Sequence, residues 1–303
     1  MSNQAISLAL RRATYFTVSV VLLWAVWHWF DGRQALARLQ AANPGWLILA
    51  LILLTIQTIA SALRWRLTST QLGLPLSNHQ AIGQYYVSML CNLTLPGGML
   101  GDAGRAWHHR QAAGLATSAS AVVLERLLGQ IAIIATLMLA LLWQLRSTVT
   151  THTATWLFAL VGIALAVWLL AHSPKPKWLK RFGSHMKSAW LDPAVRVPQL
   201  VLTLIVLACS LLAFYACAKA VGVTLPMASA LMVLPATLMV MTLPVSVAGW
   251  GVREAAAALL WPLAMVASDA AVAASLAYGL IATVSTLPAL WWLRPRARLA
   301  TST

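Results

Sequence analysis

Apolar runs alternate with short polar breaks along almost the whole chain. A hydrocarbon core of about 30 Å is crossed by about 20 apolar residues in helical form. Runs over about 13–30, 46–63, 118–144, 154–171, 197–218 and 270–293 meet or approach that length. Two further stretches, 80–116 and 227–266, are apolar but broken by Pro and Gly, and their pieces are too short to cross comfortably. The pattern predicts an all-α polytopic membrane protein forming one membrane domain over 1–303. Its parts are a first repeat over about 45–145, a second over about 197–293, and a basic cytoplasmic loop over 173–196. The first run ends in Trp24, Trp27 and Trp29, as an interfacial aromatic belt does. We read it as a retained helix, although Ala35-Leu36-Ala37 has the small-x-small form of a signal-peptide cleavage site.

Composition agrees. The chain is 60% hydrophobic and 9% charged, with mean hydropathy +0.78, against about a quarter charged in soluble domains. The net charge of +15 does not imply nucleic acid, because the basic residues lie between apolar runs, where the positive-inside rule puts them. That rule places the N-terminus, the 64–80 and 173–196 connections and the C-terminus in the cytoplasm, with Arg33, Arg38, Arg146 and Lys219 as exceptions. Then 80–116 enters and leaves from the cytoplasmic side, and 227–266 from the outside. Cys91, Cys209 and Cys217 lie in apolar segments, so no disulfide framework is implied. The seven His show no ligand spacing, and neither a metal nor a cofactor is expected.

The two interrupted stretches resemble each other. Thr94, Leu95, Pro96, Gly101 and Arg105 match Thr242, Leu243, Pro244, Gly249 and Arg253 at a constant offset of 148 residues. Upstream, Leu72-Gly73-Leu74 and Val221-Gly222-Val223 agree with a one-residue shift. An odd number of spans separates the copies, so they take opposite orientations. Inverted repeats with broken helices are a transporter signature, with the ligand site near the midplane at the repeat interface. The plainer alternative is that Pro and Gly only kink ordinary membrane helices.

Non-helical backbone at membrane depth must be buried in protein or line a wet cavity. Gly97, Gly98 and Gly101 permit the tight turn that Pro96 begins, and Asp102 is placed to cap the short helix that follows. Free N–H groups at that helix start, with Arg105 one turn on, suit an anion such as phosphate. The second copy offers Gly249, Gly251 and Arg253, with Glu254 beside it. Glu125-Arg126 adds another adjacent opposite pair, and these with Glu254 are the charge-pair or proton candidates. Each charge at a helix centre costs roughly 2.5–3.5 kcal/mol on insertion scales, so Asp102, Arg105, Glu125, Arg126, Arg253 and Glu254 must pair, face water or sit near headgroups. A structural ion-pair cluster is one reading; a functional cavity also explains the glycine turns beside the charges. Tyr85, Ser88 and Asn92 share one helical face leading into the first turn, and Gln57 and Ser61 lie one turn apart on the second span.

These motifs resemble the membrane domain of the lysylphosphatidylglycerol synthase/flippase family. The family's Pro-Gly-Gly…Gly-Asp…Arg, Glu-Arg-Leu and Gly-Val-Arg-Glu elements read here as Pro96-Gly97-Gly98, Gly101-Asp102 and Arg105, then Glu125-Arg126-Leu127, then Gly251-Val252-Arg253-Glu254. The similarity runs over about 45–295. Leu100 and Ala248 stand where the family usually has a further Gly. The resemblance implies a flippase-like fold in a bacterial or archaeal cytoplasmic membrane, without the soluble domain that aminoacylates lipid in two-part members. The expected function is transport of an anionic phospholipid or polyprenyl-phosphate headgroup, with no catalytic residue. The candidate headgroup ligands are Asn92, Gly97, Gly98, Gly101, Asp102, Arg105, Gly249, Gly251 and Arg253. The expected partners are that lipid, the bilayer and envelope-biosynthesis enzymes. The alternatives are a non-catalytic membrane partner, or an intramembrane enzyme of lipid-linked envelope biosynthesis. The chain carries no His-Glu-x-x-His and no Gly-x-Ser-x-Gly to support the latter.

Overall fold

The computed structural model describes residues 3–95, 98–147, 177–241, 246 and 249–293. The expected span at 154–171, together with Pro96, Gly97, Thr242, Leu243, Pro244, Ala248 and the basic tail, lies outside the described residues. Every described element is helical. In chain order they are α1 (Asn3–Trp29), α2 (Gly32–Gln40), α3 (Pro44–Gln71), α4 (Asn78–Thr94), α5 (Leu100–His108), α6 (Arg110–Ala113) and α7 (Leu115–Ser147). They continue as α8 (Lys177–Met186), α9 (Arg196–Ala220), α10 (Met227–Val240), α11 (Val252–Leu260), α12 (Ser268–Ser285) and α13 (Ala289–Leu293). Among the described residues, four stretches are long and apolar enough to cross a membrane: Pro44–Gln71, Leu115–Gln144, Arg196–Ala220 and Ser268–Leu293. Phe16–Trp29 and Met227–Val240 are shorter apolar helices. The basic stretch after residue 176 is not an open loop. It forms α8 and a π-helical turn over Lys187–Leu191.

Local chemistry sets the helix starts. Asn43 Oδ1 accepts from Gly45 N at 2.9 Å, and Pro44 occupies the first turn of α3, where its missing N–H costs nothing. Ser77 and Gln80 form a reciprocal capping box on α4 (3.2 and 3.1 Å). Nothing between Arg64 and Gln71 breaks a helix, so α3 runs well past the apolar run that ends at residue 63.

The two halves are laid out alike. Both α3 and α9 end in a left-handed glycine, Gly73 (φ 77°) and Gly222 (φ 81°). In both, the next N–H closes the turn: Leu74 N donates to Ser69 O (2.9 Å), and Val223 N to Ala218 O (3.0 Å). A shorter helix follows (α4, α10), then a break, a nine-residue helix (α5, α11) and a long one (α7, α12). Each nine-residue helix packs between the helix before its break and the long helix after it.

Helices α3 and α9 hold equivalent places in the two halves, and they pack against each other along their length. They run antiparallel. Asn43 N at the start of α3 donates to Ala220 O at the end of α9 (2.9 Å), and Gln199 Nε2 at the start of α9 donates to Thr68 Oγ1 near the end of α3 (2.9 Å).

Small residues make this packing close. Ala213, Ala216, Cys217, Ala218 and Ala220 of α9, and Ala270, Ala271, Ala273, Ala274 and Ala277 of α12, are all buried. In lipid, where apolar burial drives little, such surfaces gain by letting backbones approach. Phe214 stacks on Tyr278 (centroids 4.7 Å apart) and leans on Trp261 (5.4 Å), whose Nε1 donates to Thr237 Oγ1 at 3.0 Å. At the other end, Trp292 of α13 stacks on Tyr86 of α4 (5.9 Å). It fits because Gly83 lacks a side chain there; an added methyl would fall 2.4 Å from the indole. This contact braces the helix that carries one wall of the site.

Candidate functional site

The polar face of α4 does what its spacing predicts. Tyr85, Ser88 and Asn92 are all buried and all point the same way. Tyr85 OH donates to Glu125 Oε1 (3.3 Å), Ser88 Oγ donates to Asp102 Oδ1 (3.1 Å), and Asn92 Oδ1 accepts from Gly101 N (2.8 Å). Asn92 thus satisfies an N–H in the first turn of α5 that has no partner within the helix. Gly101 is helical, and its role is close approach. A methyl there would lie 2.0 Å from the Ser88 carbonyl oxygen. The tight turn itself rests on Gly98, at φ +62°.

Around this junction five charges gather. Arg105 Nη2 contacts Asp102 Oδ1 directly and lies 3.9 Å from Glu125 Oε2. Arg126 Nη2 holds Asp102 Oδ2 at 2.8 Å. Arg64 Nη2 holds Glu125 Oε1 at 2.6 Å. The Arg105 guanidinium lies between the rings of Trp65 and Tyr85, 4.6 and 4.5 Å from their centroids. Three guanidinium groups face two carboxylates, so the cluster carries one positive charge in excess. Several buried donors have no partner among the described residues: Nε and Nη1 of both Arg64 and Arg105, Arg126 Nε, Asn92 Nδ2 and Trp65 Nε1. Each such group typically costs about 1–3 kcal/mol, more when charged.

The second half is built differently. Gly249 and Gly251 take left-handed backbone (φ 78° and 84°), as the turn requires. Glu254 Oε2 accepts from Gly251 N at 2.7 Å, capping α11, while Oε1 contacts Arg253 Nη2. Arg253 Nε donates to Glu254 Oε1 (3.1 Å) and to Ser275 Oγ (3.0 Å), and Ser275 Oγ donates to Glu254 Oε1 (3.0 Å). Nη1 rests 3.9 Å from Met241 Sδ. Trp250 and Tyr278 flank the guanidinium at 5.1 and 5.6 Å. Gly279 makes room, since a methyl there would fall 2.1 Å from Arg253 Nη2. This cluster is electrically neutral, and every Arg253 nitrogen has a neighbour.

Several expectations change. Asp102 is not the cap of α5: it sits inside the helix and spends its oxygens on Arg105, Arg126 and Ser88, while Met99 at the helix start makes no side-chain cap. The capping carboxylate is Glu254, in the other half. Neither helix start is vacant, for Asn92 and Glu254 fill them. Glu125 and Arg126 do not bind each other; neighbours on a helix point about 100° apart, and each reaches a different partner. Arg105 and Arg253 each find their partners within their own half. Gln57 Nε2 donates to Ser61 Oγ at 3.3 Å, so that pair joins itself. Arg64 was missed, because hydropathy alone makes it a flank of the second span. A signal existed: Gln57, Ser61, Arg64 and Thr68 follow helical spacing and mark a polar stripe along α3.

The buried arginines and carboxylates fall at the motifs that suggested the family. Compared with curated proteins, the chain matches none. The model of the family described as the lysylphosphatidylglycerol synthase TM region matches residues 12–289, so the chain belongs to that family of membrane proteins concerned with lipid.

Proposed function

We propose that the protein carries an anionic lipid, or a lipid-linked headgroup, across the cytoplasmic membrane. Both termini lie on the cytoplasmic side, and the two broken helix pairs act as inverted, re-entrant halves. The observation that carries this reading is the antiparallel packing of α3 on α9, each leading through a left-handed glycine to a broken helix pair with a buried arginine at the break. Equivalent elements in opposite directions are what alternating access about a central site needs. Arg105 and Arg253 are the headgroup cations of the two halves. Asn92, Asp102, Gly98 and Gly101 shape the first station, and Gly249 and Gly251 the second. Glu125 and Glu254 hold the arginines between steps, and Arg126 holds Asp102. We assign transport and not catalysis.

Purified full-length protein in liposomes with headgroup-labelled lipid tests this. Transport predicts leaflet exchange of chemically unchanged lipid. Modified lipid would favour an intramembrane enzyme, and neither result would favour a non-catalytic envelope partner.

A further inference from the structure

The two arginine clusters are not equivalent. Arg253 has a neighbour at every nitrogen and its charge is matched within the cluster, whereas, among the described residues, Arg64 and Arg105 each keep two buried donors without a partner and share an excess positive charge. We propose that Arg64 and Arg105, with Asn92 Nδ2 and Trp65 Nε1, receive one phosphodiester monoanion in the first half, and that Arg64 is a ligand of that group. The proposal rests on the lipid-headgroup reading and narrows it.

Charge selects the guest. Three guanidinium groups against two carboxylates are neutralised by a single negative charge. Water would satisfy donors but leave the charge, and a phosphate monoester, whose second ionisation lies near pH 6, would overshoot it. Chemistry agrees, since the unpartnered atoms are almost all N–H donors and phosphate oxygens only accept. One acceptor, Glu125 Oε2, is also unmatched. It stands 3.9 Å from Arg105 Nη2, a long contact that a nearer anion replaces. Arg126 marks the approach: its side chain is 39% exposed, while those of Arg64 and Arg105 are buried. The Arg105 guanidinium lies 4.6 Å from the Trp65 ring centroid and 4.5 Å from that of Tyr85, and these two buried rings restrict how it can turn. Gly129 lets α7 pack close to Arg64, since an added methyl would crowd Nη2 at 3.3 Å.

The test is equilibrium binding of dioctanoyl phosphatidylglycerol to the full chain in detergent, with dioctanoyl phosphatidic acid and inorganic phosphate as competitors. Arg64→Lys keeps charge and loses the planar set of donors. Because it could disturb folding, Arg64→Gln/Glu125→Gln removes the pair without leaving a lone buried charge. Both should weaken phosphatidylglycerol binding at least about tenfold at unchanged melting temperature. Arg110→Gln, loss of a half-buried charge outside the cluster, should not. Phosphatidylglycerol should outcompete phosphatidic acid and inorganic phosphate. Absence of binding, wild-type affinity in both Arg64 variants, or tighter binding of phosphatidic acid would overturn the proposal. Liposome assays separate it from the transport reading. Binding that depends on Arg64 without leaflet exchange would end the transport reading alone, and exchange with wild-type binding in both Arg64 variants would end this one alone.

Discussion

Arg64 and Glu125, 61 residues apart, meet at 2.6 Å with both side chains almost fully buried. The pair ties α3 to α7, and Tyr85 joins it from α4 through the same carboxylate oxygen. Breaking one partner of a buried pair leaves the other charge uncompensated, at a cost of about 3–5 kcal/mol. Glu125→Ala should therefore lower detergent-stable yield and melting temperature sharply. Arg64→Met/Glu125→Leu should recover much of that loss, because both charges leave together. Thermal unfolding of the single and double variants measures this. A double variant no better than Glu125→Ala would contradict the assignment.

Gly101 and Gly104 provide a matched comparison three residues apart on α5. At Gly101 a methyl would strike the Ser88 carbonyl; at Gly104 nothing lies within 4 Å. Gly101→Ala should force α5 off α4, lengthen the Asn92–Gly101 bond and cost both stability and transport. Gly104→Ala should be tolerated, and should gain up to about 1 kcal/mol from helix propensity. Melting temperatures of the two variants decide. Equal losses would show that backbone contact at Gly101 is not what holds the junction.

Sequence pattern carried the reading a long way and stopped for identifiable reasons. Helical spacing placed Tyr85, Ser88 and Asn92 on one face because that face is set by local geometry. The glycine breaks showed because few other residues take left-handed backbone. Partner choice did not show, because it depends on which helices meet. Adjacent Glu125 and Arg126 turn away from each other, adjacent Arg253 and Glu254 turn together, and Arg64 reaches its acid only because α3 packs on α7. Asp102 is well placed in sequence to cap α5, but Asn92 arrives from α4 and satisfies the first turn.

The proposed opposite orientation of the broken pairs makes a prediction about sidedness. Gln111, after the first pair, and Ala267, after the second, are both exposed. In a background lacking Cys91, Cys209 and Cys217, Gln111→Cys should react with an impermeant maleimide only from the cytoplasmic side. Ala267→Cys should react only from the outside. Labelling of both from one side would rule out the inverted arrangement.

The second cluster provides the sharpest test of whether its charges act or merely pin the fold. Arg253 and Glu254 are buried, neutral as a pair and bonded to Ser275, which is also what a structural clamp would look like. Removing both charges while keeping shape distinguishes the two. Met retains the length of Arg253 between Trp250 and Tyr278, and Gln at 254 retains an acceptor for Gly251 N, so the cap on α11 survives. Replacing a buried ion pair with groups of similar volume is often neutral for stability. Arg253→Met/Glu254→Gln should thus reach the membrane in normal yield and melt within a few degrees of the parent. If Arg253 is the headgroup cation of the second half, the variant should nevertheless lose lipid exchange in liposomes by at least about tenfold, since among the described residues no other buried guanidinium stands at that break. Normal exchange in a normally folded variant would make the second cluster a pin, and leave the first half to do the work of transport.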